Sequence, residues 1–536
     1  MYLKATNIIS PLGGTTEENY EAVRSGRTAI RRYEAGTRGV PFPIAAALFA
    51  EEPDFVTLAV KSAREALKET NIDVASSRTL FILSTTKGEI GVPPGDTAQK
   101  IANAIGITTQ PMVVCNACIS GVAAQILAMR MIDCGYYDTA IVTGCDVQTK
   151  FIISGFNCLK ALSPEPCRPF DEERLGLNLG EGAATMVFCN KGNKDEWQTV
   201  NGAIRNDAYH ISGPHPKGEG CYRALTKTLQ HYSVESLATV GVHGTATMYN
   251  DQMESKAIER AGLSNIPLSA LKGYYGHTMG AAGVIETILT ARALDDGIIL
   301  PSMGYSERGV SGKVTISHEA MTTDKHSFIK MLSGFGGCNA AVLYTKGEEQ
   351  HASLTPKTLD TIATVKLTSK DDLTAIYKEK IGNYPKFYKM DLLSRLAFVA
   401  TELLKAEIAK KAEGEENTAR VKQDMDDCAV ILFNRTSSCI SDRRFIDTIK
   451  DDDNYFPSPA VFVYTLPNIT TGEIALRNGW HGETSFYILP TPDNALMDKI
   501  LNATAAHDNT HGIISGWINA DEEGEYEVEV RYGYKN

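Results

Sequence analysis

Residues 113–144, VVCNACISGVAAQILAMRMIDCGYYDTAIVTG, run from a short apolar strand through a turn into a long helix and on to a second apolar strand. A chain that repeats this unit is committed to a layered sheet, because fully apolar strands must be covered on both faces. Strand-like runs at 2–9, 79–84, 111–115 and 139–143 alternate with helical spacing at 55–70, at 98–107 and after residue 118. An open α/β sheet follows for the first half, and a second half is expected over 199–344, with helices at 220–231 and 250–261 and a strand at 239–243. Cys118 falls between strand and helix, ahead of the small residues Ser120, Gly121, Ala123 and Ala124. Unpaired N–H groups at a helix N-terminus favour a thiolate and can donate to a developing oxyanion. An inert buried thiol is nevertheless the commoner fate of a free cysteine.

At 536 residues the chain has room for two to four core units. No apolar run reaches the length of about 18 residues that a membrane span requires, and the opening MYLKATNIISPLGG reads as strand and turn, so a cytoplasmic location is expected. Eleven scattered cysteines read as free thiols. Cys115 and Cys118 form a C-x-x-C, but no second pair completes a metal site. A net charge of −12 argues against a general nucleic-acid binder and leaves room for a local basic patch that docks an acidic carrier. Glycines cluster at 180–182, 244, 273–283 and 334–337, where strands end, but in neither of the common phosphate-binding patterns.

Two histidines stand in similar settings, His243 at the end of an apolar strand and His277 just before the helical MGAAGVIETIL. Lys272 lies five residues before His277 and Glu286 nine after it. A nucleophilic thiol with two imidazoles suits acyl transfer to sulfur and the holding of negative charge on a thioester oxygen.

The ordered motifs NACISG around Cys118, CRPFDEERLGLNLGEGAATMVF, DAYHISGPHP, HGTATMYNDQMES, KGYYGHTMGAAGVIE and SGFGGCNAA resemble those of the elongating, Cys-His-His β-ketoacyl-acyl-carrier-protein synthases of the thiolase-fold superfamily. The paired histidines separate the chain from thiolases and from priming synthases, which carry Asn where His277 stands. The resemblance implies a five-layered αβαβα body of two pseudo-symmetric halves, dimeric with itself or with another ketosynthase-like chain. Cys118 would take an acyl chain from a carrier's phosphopantetheine arm, and His243 and His277 would hold the malonyl thioester during decarboxylation. The resemblance also implies an oxyanion hole from the N–H groups of Cys118 and Phe335, ordering of His277 by Lys272 and Glu286, and contacts of Thr245, Thr247 and Gly336 with the substrate arm. No metal or redox cofactor is implied. The family's cap between residue 85 and the 98–107 helix is reduced here to a short KGEIGVPPGDT loop, so the pocket or the dimer is expected to differ.

The domains expected are a catalytic one at 1–347, with halves of about 1–195 and 196–347, a linker with short elements at 348–385, and a further unit at 386–536. In the last, a helix over 392–412, a solvated loop GEENTARVKQDMDD and a strand CAVILFN repeat the order seen in the first half. FPSPAVFVYTLPNITTGEIALRNGWHGETSFYI resembles the segment before the nucleophile, cap included, and the nucleophile position then falls at 490–492, where no cysteine stands. The unit reads as an additional αβα half-domain without catalysis, either a pocket wall or a stabilising remnant. Chain-extending condensation in fatty-acid or polyene/polyketide-like synthesis is the leading function; a non-condensing, chain-length-factor-like scaffold that binds carrier protein is the alternative.

Overall fold

The computed structural model describes residues 1–347, 353–411, 425–508 and 510–535. Part of the GEEQHASLTPKT linker and most of the GEENTARVKQDMDD loop lie outside the described residues.

Three units share one five-stranded connectivity; the second carries a further two-residue edge strand, Thr315–Ile316, beside Pro267–Ser269. The first comprises β1 (Tyr2–Ile9), β2 (Thr79–Ser84), β3 (Met112–Val114), β4 (Thr139–Asp146) and β5 (Gly182–Cys189), in the spatial order β3-β2-β4-β5-β1. The second comprises β6 (Gln198–Asn206), β7 (Thr239–Gly241), β8 (Pro267–Ser269), β9 (Ser327–Gly334) and β10 (Cys338–Thr345), ordered β8-β7-β9-β10-β6. The third comprises β11 (Asp360–Thr368), β12 (Ala429–Asn434), β13 (Thr484–Ile488), β14 (Gly512–Ala520) and β15 (Tyr526–Tyr534), ordered β13-β12-β14-β15-β11. In each unit the three strands nearest its β3, β8 or β13 end run parallel and the remaining pairings are antiparallel.

Helix α1 (Ser120–Asp133) and helix α2 (Ala282–Asp295) pack between the first two units, each touching strands of both. Both are buried almost all round, as a layer covered on two sides must be. They cross at glycines: a Cβ on Gly121 would sit 2.8 Å from the Cα of Gly283. Outer helices such as Phe55–Lys68 and Glu219–Thr228 cover the far faces. This is the expected five-layered α/β arrangement.

The third unit begins earlier than its sequence pattern implies. Residues 362–380, expected as a strand and helix of the linker, belong to this unit: Asp360–Thr368 is its edge strand β11, followed by a helix, Leu373–Lys380. The edge strand's exposed and half-buried positions outnumber its buried ones, so its apolar signal is weak. Helix α3 (Leu392–Lys411) packs on β11, β14 and β15, and helix α4 (Asn494–His507) lies against α1.

The unit is joined to the first half by its sheet edge. β13 pairs antiparallel with β3, Tyr487 opposite Val114 and Ile488 opposite Val113. Equivalent strands thus meet antiparallel, as they do when two subunits pair about a two-fold axis. Ion pairs tie the third unit to both halves: Arg130 to Glu483 at 2.8 Å and Lys87 to the half-buried Asp442 at 2.6 Å join it to the first, and Arg205 of β6 to Asp508 at 3.0 Å joins it to the second. Among the described residues no helix is long and apolar enough to cross a membrane.

Candidate active site

Cys118 lies in a 3-10 turn, Ala117–Ile119, that opens into α1. The turn is held from both sides. Ala117 takes a left-handed φ of 47°, the Asn116 N–H donates to Ser120 Oγ at 2.8 Å, and the Asn116 carbonyl Oδ1 accepts from the Phe486 N–H of β13 at 2.7 Å. The thiolate expected from the helix position is not the resting state. Burial pushes the Cys118 thiol up to about 12, and the charge of Lys272 offsets only part of this. Alkylation of Cys118 by iodoacetamide, followed on its peptide by mass spectrometry, should therefore accelerate about tenfold per unit between about pH 7 and pH 9, because the thiolate fraction keeps growing below such a pKa. A plateau near neutral pH would show an already activated thiolate.

His243 follows β7, and its N–H and that of Gly244 donate to the Glu254 carboxylate at 2.5 and 2.9 Å. His277 precedes the turn into α2; its N–H donates to Asn178 O at 2.7 Å, and its Nδ1 accepts from the Met279 N–H at 3.3 Å. That bond places the proton on Nε2. The two rings stand edge to face, 5.2 Å between centroids. Sγ of Cys118 and one ring nitrogen of each histidine all lie within 4.8 Å of one another. His243 Nδ1 and His277 Nε2 are buried without a hydrogen-bond partner. Burial first, then the Lys272 charge, holds both imidazoles well below their ordinary pKa and hence neutral. A divalent cation could use the same three donors, but Lys272 and Lys330 already set positive charge beside them.

Lys272 donates to the His243 carbonyl and to Glu286, both at 2.7 Å. Lys330 donates to the Val242 carbonyl at 2.8 Å and to the other Glu286 oxygen. The expected role of Lys272 and Glu286 is thus redirected: their bonds fix the strand end carrying His243, not the ring of His277. Lys330 and Glu254 escape a reading of short motifs. A lone charge inside the apolar run SFIKMLSG is the signal that Lys330 left, and Glu254 stands inside a quoted motif without an evident partner in sequence.

A cavity of about 390 Å³ joins these groups. Cys118, His243, His277, Thr245, Thr247 and Phe335 line it, together with the apolar Phe156, Leu159, Leu177 and Met248. The Thr245 and Thr247 hydroxyls lie 2.9 Å apart. Gly336 does not line it; its N–H is committed to Ile211 O at 2.7 Å. In the cavity wall the Phe335 ring stacks on Phe156, which meets Phe462 of the third unit edge to face at 5.8 Å. Gly155 makes room for that ring: a Cβ there would come within 1.9 Å of it.

Two sheets of identical order around paired central helices, with a cysteine at the start of one of them, define a thiolase-fold protein. The family models for the beta-ketoacyl synthase N-terminal domain and C-terminal domain match residues 82–192 and 198–306. Together the two matches cover about two fifths of the chain, with Cys118 inside the first and His243 and His277 inside the second. The chain is 32% identical over 250 residues to the 3-oxoacyl-[acyl-carrier-protein] synthase 2 of Rhizobium meliloti, covering 43% of this chain and 59% of that one. To the 3-oxoacyl-[acyl-carrier-protein] synthase 2 of Vibrio cholerae it is 27% identical over 402 residues, covering 63% and 97%. A solved ketosynthase–chain length factor structure, PfaC, superposes with a TM-score of 0.76 at 12% identity, covering all of this chain and 78% of that one, a likeness of fold alone.

Proposed function

We propose that the chain catalyses decarboxylative condensation of an acyl group held on Cys118 with a malonyl group on acyl carrier protein, giving 3-oxoacyl-carrier protein. The observation that supports this most is the cluster of one thiol and two neutral imidazoles, two of whose ring nitrogens are buried and unpartnered beside an apolar cavity. Buried polar atoms without partners are costly, and a thioester oxygen of the substrate would satisfy them.

In the first step the Cys118 sulfur attacks the acyl thioester, the bond to the carrier sulfur breaks, and the thiol proton goes to the leaving thiolate. In the second, the malonyl thioester oxygen accepts hydrogen bonds from the imidazoles while its carboxylate leaves as CO₂. A neutral imidazole can hold the enolate oxygen without surrendering a proton to it. The enolate carbon then attacks the acyl-Cys118 carbonyl. The N–H groups of Cys118 and Phe335 hold the tetrahedral oxyanion, the C–S bond breaks, and the Cys118 sulfur regains a proton from water. Thr245 and Thr247 contact the phosphopantetheine arm, which supplies the substrates as thioesters; the carrier protein is the partner.

The third unit stands in for a second ketosynthase-like chain, because β13 occupies the β3 edge where such a chain would pair. Its own equivalent of the nucleophile turn, residues 490–492, is Pro-Thr-Pro, so in this reading it is the scaffold and the first two units do the chemistry.

Intact-mass spectrometry after incubation with acyl-carrier proteins bearing different chains tests the proposal. A single acyl adduct, absent in Cys118→Ala, with CO₂ released on adding malonyl-carrier protein, is expected. Carrier bound without any adduct would favour the scaffold reading for the whole chain.

A further inference from the structure

We propose that Asn468, delivered by the third unit, is a positioning residue for the oxyanion loop of the catalytic body. The inference rests on the condensing role proposed above and adds a function for the appended unit.

The loop between β9 and β10 carries Phe335, and its next two residues take left-handed backbone, φ 88° at Gly336 and 72° at Gly337. Such a turn has no ladder of its own and depends on outside partners. Within the catalytic body Asn206 Nδ2 donates to Gly336 O at 2.8 Å and the Asp207 N–H to Gly337 O at 2.8 Å. The carbonyl of Phe335 accepts from the Cys338 thiol of its own turn at 3.2 Å and, across the unit boundary, from Asn468 Nδ2 at 2.7 Å. Asn206 is in turn bonded to Thr484 Oγ1 of β13 at 2.9 Å. Phe335 is therefore fixed at two points, its ring by the stack on Phe156 and its carbonyl by Asn468.

Asn468 immediately precedes the helix Ile469–Asn478 and already has helical backbone, φ −69° and ψ −11°, so its side chain does not cap the helix. It is 1% exposed, and its Oδ1 has no partner. A buried amide that serves no cap and leaves one atom unsatisfied, while its other atom reaches Phe335, is arranged for the loop rather than for the helix. The consequence lies in the conformation of residue 335, whose N–H must point at the oxyanion. With the Phe335 carbonyl left to the weak thiol donor of Cys338 alone, the peptide planes on either side can rotate and the N–H loses its aim.

The test is steady-state kinetics on the full chain with acyl- and malonyl-carrier proteins. In Asn468→Ala, kcat is expected to fall about 10- to 100-fold, the scale of a misaligned reacting geometry, with both KM values unchanged within about twofold. Asn468→Asp keeps the shape. Its carboxyl can donate to the Phe335 carbonyl only when protonated, so its kcat should rise as pH falls, a dependence the parent does not share. Wild-type kcat in both variants would overturn the inference, as would losses matched by the fraction unfolded in thermal melts. If the parent condenses no acyl chain at all, the reading of the site fails instead; if the parent is active and the variants equal it, only the role of Asn468 fails.

Discussion

A Glu286→Gln variant should lose about 3–5 kcal/mol of unfolding free energy, the cost of stripping the partner from a buried charge. Glu286 lies on α2 between the ammonium groups of Lys272 and Lys330, each about 1% exposed. Burial alone would raise the Glu286 carboxyl, but the two lysine charges outweigh it and hold the group below its usual range. Without that carboxylate the two cations face each other in a dry interior. Burial already lowers Lys330 to about 8, against the pull of Glu286. The sign of the pH dependence follows. A base whose folded pKa is depressed leaves the unfolded chain binding more protons between the two values, so stability rises with pH there. Without the pull of Glu286 the variant's Lys330 sheds its proton below about 8, so the deficit should be greatest near about pH 5 and shrink toward pH 8. Urea unfolding at the two pH values checks this; a deficit under about 1 kcal/mol at the lower pH, or one that grows with pH, would contradict it. Activity should fall too, because both lysines anchor the backbone on which His243 is mounted.

Glu483→Ala is expected to cost about as much, roughly 3–5 kcal/mol. Arg130 and Glu483 are wholly buried and meet at 2.8 Å across the junction of α1 with the third unit. Nη1 of Arg130 also donates to Thr504 Oγ1 of α4 at 3.1 Å. Removing the carboxylate leaves a guanidinium with no route to water. Replacing both members, Arg130→Met with Glu483→Leu, should recover most of the loss, since an apolar pair of similar volume often matches a buried ion pair. Equal losses in the single and double variants would show that the charges do not act as a pair. Hydrogen exchange should report where the single variant loosens: β13 and β3 should lose protection before the sheet around β6 and β10 does.

Legibility in the sequence followed range. Cys118, His243 and His277 sit in short motifs whose local pattern of strand end, glycine and helix start is complete within a few residues, so their neighbourhood could be read directly. The third unit's helix–loop–strand order was visible as a repetition of the first half for the same reason. Partnerships set by distant segments were not visible. Lys330 meets Glu286 from 44 positions away, and Asn468 reaches Phe335 across 133; neither distance leaves a local trace. Helix-start chemistry suggested a thiolate at Cys118, whereas the depth of burial, which only packing reveals, favours the thiol. Strand β11 was legible as a short element but not as part of the third unit's sheet, because an edge strand exposed on much of its length need not alternate cleanly.

The pairing of β13 with β3 has a consequence for how the protein responds to dilution. A separate partner chain is held by mass action and leaves when its concentration falls below the dissociation constant. A covalently attached one is present at a local concentration fixed by its connection, whatever the expression level. Under the proposed function the architecture thereby exchanges two-fold symmetry for constancy: each chain would have one nucleophile and one escort in fixed ratio. Exchange of escorts between chains, and with it any tuning of product by swapping partners, is closed to this sheet edge.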